Sequence, residues 1–151
     1  MKKILVPTDF SESSLLGIEQ ARRLAELSGG EVILLFVEEP VWRGGLPKDL
    51  LEVMEDYVKA LHQHAQNRLQ ELVERDLEGV RARFEICSGH AVSAILERAQ
   101  RHQVDLICMA TQGWTAHLQS APGSVTERVV RRSEVPVLVV PSHQKQQDGK
   151  G

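Results

Sequence analysis

A chain of 151 residues has the length of one domain, and folding buries about 70% of the surface of such a chain, enough for a core without disulfide or metal staples. Lys and Arg number 18 and Asp and Glu 21, a net charge of −3, which argues against a dedicated nucleic-acid binder with its basic footprint. Aromatic residues are only 4%, too few for a base-stacking platform.

Lys3 to Thr8 is a short apolar, β-branched run and reads as a fully buried strand. Asp9-Phe-Ser-Glu-Ser-Ser follows with several helix N-cap candidates, Ser11 foremost. Leu15, Ile18, Ala21 and Ala25, flanked by Leu24, then recur at helical spacing until Ser28-Gly29-Gly30 ends the helix. Glu31 to Val37 is a second buried strand, and Glu38 to Gly45, with Pro40 and two glycines, is a loop. Pro47 suits the first turn of a long polar helix running to about Arg75. Its apolar stripe runs from Leu50, Val53 and Met54 through Tyr57, Val58 and Leu61 to Ala65, Leu69 and Leu72. Arg81 to Cys87 alternates as a half-exposed edge strand. Gly89 turns the chain into a helix over Ala91 to His102, and Val104 to Ala110 is a third buried strand. After a polar loop from Thr111 to Pro122 come a short helix, Ser124 to Arg132, and a last strand, Val135 to Val140. Ser142 to Gly151 is polar and reads as a disordered tail, leaving residues 1–141 as the domain.

Strand and helix alternate throughout, with no internal repeat. Buried strands in that order imply an α/β fold, a single doubly wound parallel sheet with helices on both faces. Ligands of such sheets bind beyond the carboxyl ends of the strands, where strand order reverses. The loops after strands one and four, Pro7-Thr8-Asp9 and Met109 to Ser124, are the candidates. The longest apolar runs, such as Val32 to Val37, fall far short of the roughly 18 residues of a membrane helix. The amino terminus reaches Asp9 too soon for a secretory signal. The expectation is a cytoplasmic protein without membrane or nucleic-acid partners, and two cysteines fit a reducing compartment.

The loop of about twelve residues after strand four exceeds the usual strand–helix connection. It carries Gly113 and ends in Gly123-Ser124 at a helix start. Helix amino termini present free N–H groups and partial positive charge, and glycine lets the backbone approach an anion. Phosphate binding is one reading; a long surface loop with a serine cap is the other. Asp9 likewise reads either as a cap of the next helix or as a ligand contact. His62 and His64, two apart on a helix, do not share a face and read as solvated. Cys87-x-x-His90 has the spacing of half a metal site with no second half in sight. The sequence contains no Walker loop, no G-x-G-x-x-G and no G-x-S-x-G elbow, and no acid–base constellation marks it as an enzyme.

Four segments resemble the universal stress protein family. They are Ile4-Leu-Val-Pro-Thr-Asp-Phe-Ser11, Val32-Ile-Leu-Leu-Phe-Val37, Asp105-Leu-Ile-Cys-Met-Ala-Thr-Gln-Gly113 and Gly123-Ser-Val-Thr-Glu-Arg-Val-Val130 with Pro136-Val-Leu-Val-Val140 behind it. The nucleotide-binding branch of that family carries G-x2-G-x9-G-[S/T], and Gly113-x9-Gly123-Ser124 matches its last two glycines. The resemblance implies a five-stranded sheet of order 3-2-1-4-5, with Cys87 and Cys108 on strands that are not neighbours. It implies ATP, AMP or ADP, with or without Mg²⁺, bound after Pro7 and Thr8. Asp9 and Val37 would frame base and ribose, Met109 and Ala110 would lie along the nucleoside, and Gly113, Gly123, Ser124 and Val125 would hold phosphates. It also implies a homodimer through Val137, Leu138, Val139 and Val140. The sequence departs from the pattern at Ala110, where the first glycine would stand, at Gln112 and at Pro122, which lacks an N–H. Those departures favour the alternative, a homodimeric interaction protein of the same fold without nucleotide.

Overall fold

Aliphatic runs too short for helices and too apolar for solvent become strands, and the amphipathic stretches between them become the helices that cover them. The computed structural model describes residues 2–111 and 124–141. In chain order these form β1 (Lys3–Pro7), α1 (Glu12–Ser28), β2 (Glu31–Glu38), α2 (Lys48–Glu71), β3 (Arg81–Ser88), α3 (Ala91–Arg101), β4 (Leu106–Ala110), α4 (Val125–Arg132) and β5 (Val137–Val140). All five strands are parallel, in the order β3-β2-β1-β4-β5. This is the doubly wound sheet that the sequence implies. At its centre Ile4 of β1 lies between Val32 of β2 and Leu106 of β4.

Alternation along the strands sends side chains to two cores. Ile4, Val6, Val32 and Leu34 pack with Ile18, Ala21 and Ala25 of α1 and Leu69 of α2. Leu5, Ile33, Leu35 and Val37 pack with Val92 and Ile95 of α3 and Val129 of α4. Ser11 caps α1, accepting a hydrogen bond from the Ser14 N–H, and Gly29 ends the helix at φ 73, a left-handed angle that glycine adopts without strain. β3 is an edge strand, with Arg81 and Arg83 exposed and Ala82, Phe84 and Ile86 half-buried, as its alternation predicts. Cys87 on β3 and Cys108 on β4 are both buried and free.

α2 departs from expectation. Its apolar stripe is continuous in sequence, yet only Ala65 and Leu69, with Leu72 in the π-helical turn Leu72–Asp76 that prolongs the helix, are buried. Leu50, Val53, Tyr57 and Leu61 are exposed. The reason is length. A helix of 24 residues spans about 36 Å, whereas the eight residues of β2 span about 26 Å. Running against the strands, α2 covers them with its carboxyl half and overhangs their carboxyl ends with its amino half. The segments 112–123 and 142–151, which include most of the loop after β4 and the polar tail, lie outside the described residues.

Candidate functional site

Chain order reverses across the sheet between β1 and β4, which are paired neighbours. The carboxyl ends of these two strands therefore form the switch point, and the first group there is Pro7-Thr8-Asp9. Pro7 and Thr8 are buried. The Thr8 N–H donates to the Leu35 carbonyl at 2.9 Å, which extends the β1–β2 ladder one residue past the strand. The Thr8 hydroxyl lies 2.9 Å from that of Ser14 and accepts from the Phe10 N–H at 3.1 Å. Both buried hydroxyls thus find partners, and the turn is fixed to the first turn of α1.

Asp9 is half-buried at the mouth. Its Oδ1 accepts from the Ser11 N–H at 3.0 Å and from the Ser11 hydroxyl. The cap itself is Ser11, so Asp9 supports the cap rather than forming it. Among the described residues nothing hydrogen-bonds to Oδ2, which leaves one carboxylate oxygen for another donor. Phe10 follows at φ 66, a left-handed angle unusual for a residue with a side chain. Its ring is stacked on Phe36 with centroids 4.7 Å apart, and the Arg68 guanidinium lies 5.4 Å over it. That packing holds the turn in its strained angle.

Across the switch point, Met109 and Ala110 end β4, both buried, and Val37 is buried near the end of β2. α1 packs against β4 at Gly17, where a Cβ would find ordinary contact distances. A Cβ there would sit 3.7 Å from the Ala110 nitrogen and the Cys108 carbonyl oxygen. The Cys108 thiol donates to the Gly17 carbonyl at 3.3 Å, and burial pushes that thiol up to about 12.

α4 enters from the loop. Ser124 caps it, its hydroxyl oxygen accepting from the Glu127 N–H at 3.2 Å. The Thr126 hydroxyl donates to the Ala110 carbonyl at 2.8 Å, which ties the amino end of α4 to the carboxyl end of β4. Sequence reading misses Thr126, because a threonine in a first turn carries no signal of what its hydroxyl will reach. Asp9, Met109, Ala110, Ser124 and Val125 thus meet around the ends of two adjacent strands, with Val37 one strand further on. Gly113 and Gly123, with Gln112 and Pro122, lie outside the described residues.

Other polar groups lie elsewhere. His62, expected to be solvated, has its Nδ1 3.0 Å from both oxygens of Glu38. Glu85 on β3 holds Arg98 of α3 at 3.2 Å and His102, which caps the end of α3, at 2.9 Å. Beside that cluster, burial pushes the Cys87 thiol up, against the opposing pull of Arg98. Among the described residues no group of three or more His, Cys, Asp or Glu could hold a metal ion. No described helix is long and apolar enough to cross a membrane. A cavity of about 370 Å³ between α3 and the turn after α4, reached by Gln103 and Arg132, lies at the amino ends of β4 and β5, opposite the switch point. A second, of about 290 Å³, opens at the carboxyl end of β2 between Phe10, Phe36, Val58, Leu61 and Ala65.

A family model described as the universal stress protein family matches residues 1–141. The chain belongs to the universal stress protein family. Universal stress protein MJ0531 of Methanocaldococcus jannaschii is 33% identical over 146 residues, 96% of this chain and 85% of its relative. The solved structure of the protein MJ0577 is 32% identical and superposes with a TM-score of 0.77, covering 95% of this chain and 97% of the other. A solved universal stress protein in complex with cAMP, 24% identical with a TM-score of 0.64 over 92% of this chain and 95% of its own, shares the fold.

Proposed function

We propose that this universal stress protein is a cytoplasmic stress-response protein that binds ATP or a related adenine nucleotide at the β1/β4 switch point. One observation carries the reading: Asp9, whose Oδ2 has no hydrogen-bond partner among the described residues, and the serine-capped amino end of α4 converge at the carboxyl ends of two adjacent central strands. Doubly wound sheets bind ligands in that position, and a helix amino end suits phosphate. Family membership and a relative of the same fold that holds cAMP are consistent with an adenylate.

In this reading Asp9 and Val37 frame base and ribose, and Met109 and Ala110 lie along the nucleoside. The Ser124 hydroxyl and the Val125 amide take phosphate, together with the backbone of Gly113 and Gly123. The loop offers no Lys or Arg between Thr111 and Ser124, so amides, the helix end, and Mg²⁺ or Arg128 meet the phosphate charge.

The test is mass spectrometry of small molecules released by denaturing the purified protein, followed by calorimetric titration with ATP, ADP and AMP. An adenylate released, or bound on titration, is the expected result. A protein that releases none and gives no heat with any of the three overturns the reading. A second reading, a homodimer through β5 that carries no nucleotide, is favoured by Ala110, whose methyl stands where the family's loop has glycine.

A further inference from the structure

Two residues other than glycine take a positive φ among the described residues, Phe10 at 66 and Gln103 at 52. Gln103 has an ordinary cause. It follows the end of α3, where its N–H donates to the Gln100 carbonyl and the Val104 N–H to the Ala99 carbonyl, the paired bonds that close a helix through a left-handed residue. Phe10 has no such cause, since it precedes a helix whose cap is Ser11. Side-chain-bearing residues held at such angles are strained, and strain of this kind gathers where a site needs one geometry. The angle acts locally. Asp9 Oδ1 accepts from the Ser11 N–H at 3.0 Å, and that bond spans residue 10. The backbone angles of Phe10 therefore set whether the carboxylate reaches the amide at all. Glycine or asparagine would take the angle with less strain, so the reason for phenylalanine lies in its ring. The ring is stacked on Phe36 of β2, 4.7 Å between centroids, with the Arg68 guanidinium of α2 5.4 Å above it. Arg68 is half-buried and precedes Leu69, which is fully buried.

We propose that Phe10 is a positioning residue for the nucleotide: its ring, stacked on Phe36 and beneath Arg68, locks the turn through which Asp9 is aimed. The proposal rests on the adenine-nucleotide reading of this site. Phe10 acts on the ligand through Asp9 and not by its own contact. Three elements meet in it, β1 through the turn, β2 through Phe36 and α2 through Arg68. With Oδ1 held by Ser11, Oδ2 faces the ligand from one place. A carboxylate already held in its bound position spares the ligand the cost of ordering it. Asp9 is assigned to base and ribose, so the effect belongs to the nucleoside and not to the phosphates at α4.

Two measurements on the full chain test this. Calorimetric titration with ATP and AMP compares the wild type with Phe10→Tyr, Phe10→Leu, Asp9→Ala and the Asp9→Ala, Phe10→Leu double variant, each shown folded by circular dichroism. Phe10→Leu should weaken both nucleotides by the same factor, about five- to tenfold. Phe10→Tyr keeps the ring and should bind within about twofold of the wild type. In the Asp9→Ala chain the leucine should cost nothing further, because the carboxylate through which Phe10 acts is gone. Losses that add in the double variant overturn the proposal, as does a loss confined to ATP or wild-type affinity in Phe10→Leu. The second measurement needs no nucleotide. Amide hydrogen exchange of the free chain, read at Ser11 by NMR, should be faster in Phe10→Leu and in Asp9→Ala by a similar factor and unchanged in Phe10→Tyr, with the β2 amides as slow as in the wild type. If the wild type binds neither nucleotide, the functional reading falls and the exchange alone decides whether Phe10 places Asp9. A Ser11 rate in Phe10→Leu equal to that of the wild type overturns that placement.

Discussion

At the residue scale the proposed phosphate site rests on backbone groups more than on side-chain charge. A triphosphate brings several negative charges to a loop without lysine, so free amides at the start of α4 carry the contact. A side chain at position 123 would hold phosphate away from those amides. Gly123→Val should therefore weaken ATP binding tenfold or more, about 1.4 kcal/mol. Ser124→Ala should cost about 0.5–1.5 kcal/mol, one lost hydrogen bond, and Arg128→Ala less again. Calorimetric titration of the three, each shown folded, ranks them; an Arg128→Ala chain that no longer binds beside a Gly123→Val chain that does would move the cradle elsewhere. The thiols give a second residue-level test. Cys108 is pushed up to about 12 by burial and Cys87 is also raised, and the thiolate is the reactive form. Native protein at pH 8 should be inert to a thiol-specific dye, and both thiols should react once the chain is unfolded in denaturant. The sign for stability follows. The thiol of the unfolded chain ionises near its ordinary value of 9.0 while folded Cys108 stays neutral. The unfolded state therefore gains stability as pH rises from about 9 towards 12, and below about 9 neither thiol contributes. Rapid labelling of the native chain at pH 8 would show that burial does not protect these groups.

Elements differ in how much of them the sequence discloses. The strands are legible because their apolar runs are short and bounded, and α1 is legible from its cap serine to its closing glycine. Asp9 is legible as a polar residue at the end of β1, although its partner, Ser11, is not. α2 is legible as a helix but not in its burial, because periodicity reports an apolar face and says nothing of what lies opposite it. Only the geometry of a 24-residue helix against an eight-residue strand separates the covered half from the bare half. That division predicts two mutational outcomes on one stripe. Leu69→Ala, at a fully buried position, should destabilise the fold by about 2–5 kcal/mol. Leu50→Ala, at a position 47% exposed, should change monomer stability by no more than about 0.5 kcal/mol. Urea unfolding of both variants at low protein concentration, where association makes no contribution, checks the contrast; equal losses would mean that the amino half of α2 is covered within a single chain.

For the whole molecule, the sheet order leaves β5 as one edge and β3 as the other. α2 packs over β2 and β3, while β5 closes the other side of the sheet with one strand face unpaired among the described residues. Strand alternation and the right-handed crossover rule narrow the fold to a few sheets, and the family resemblance then picks the order; neither says which edge meets a partner. The physical case for β5 is its composition. Val137, Leu138, Val139 and Val140 form a run without charge, proline or bulge, and natural edges that stay single usually carry one of those devices. Pairing of β5 with its own copy would satisfy the open backbone groups and cover Leu138, which is 37% exposed. A lysine at that position sets two like charges near each other across the two-fold, and it burdens the isolated chain little because the side chain already reaches solvent. Leu138→Lys should thus lower the mass in sedimentation equilibrium relative to the wild type at equal concentration, with a melting temperature within about 2 °C measured well below the association range. A Leu138→Lys chain that sediments as the wild type does would rule out the β5 edge.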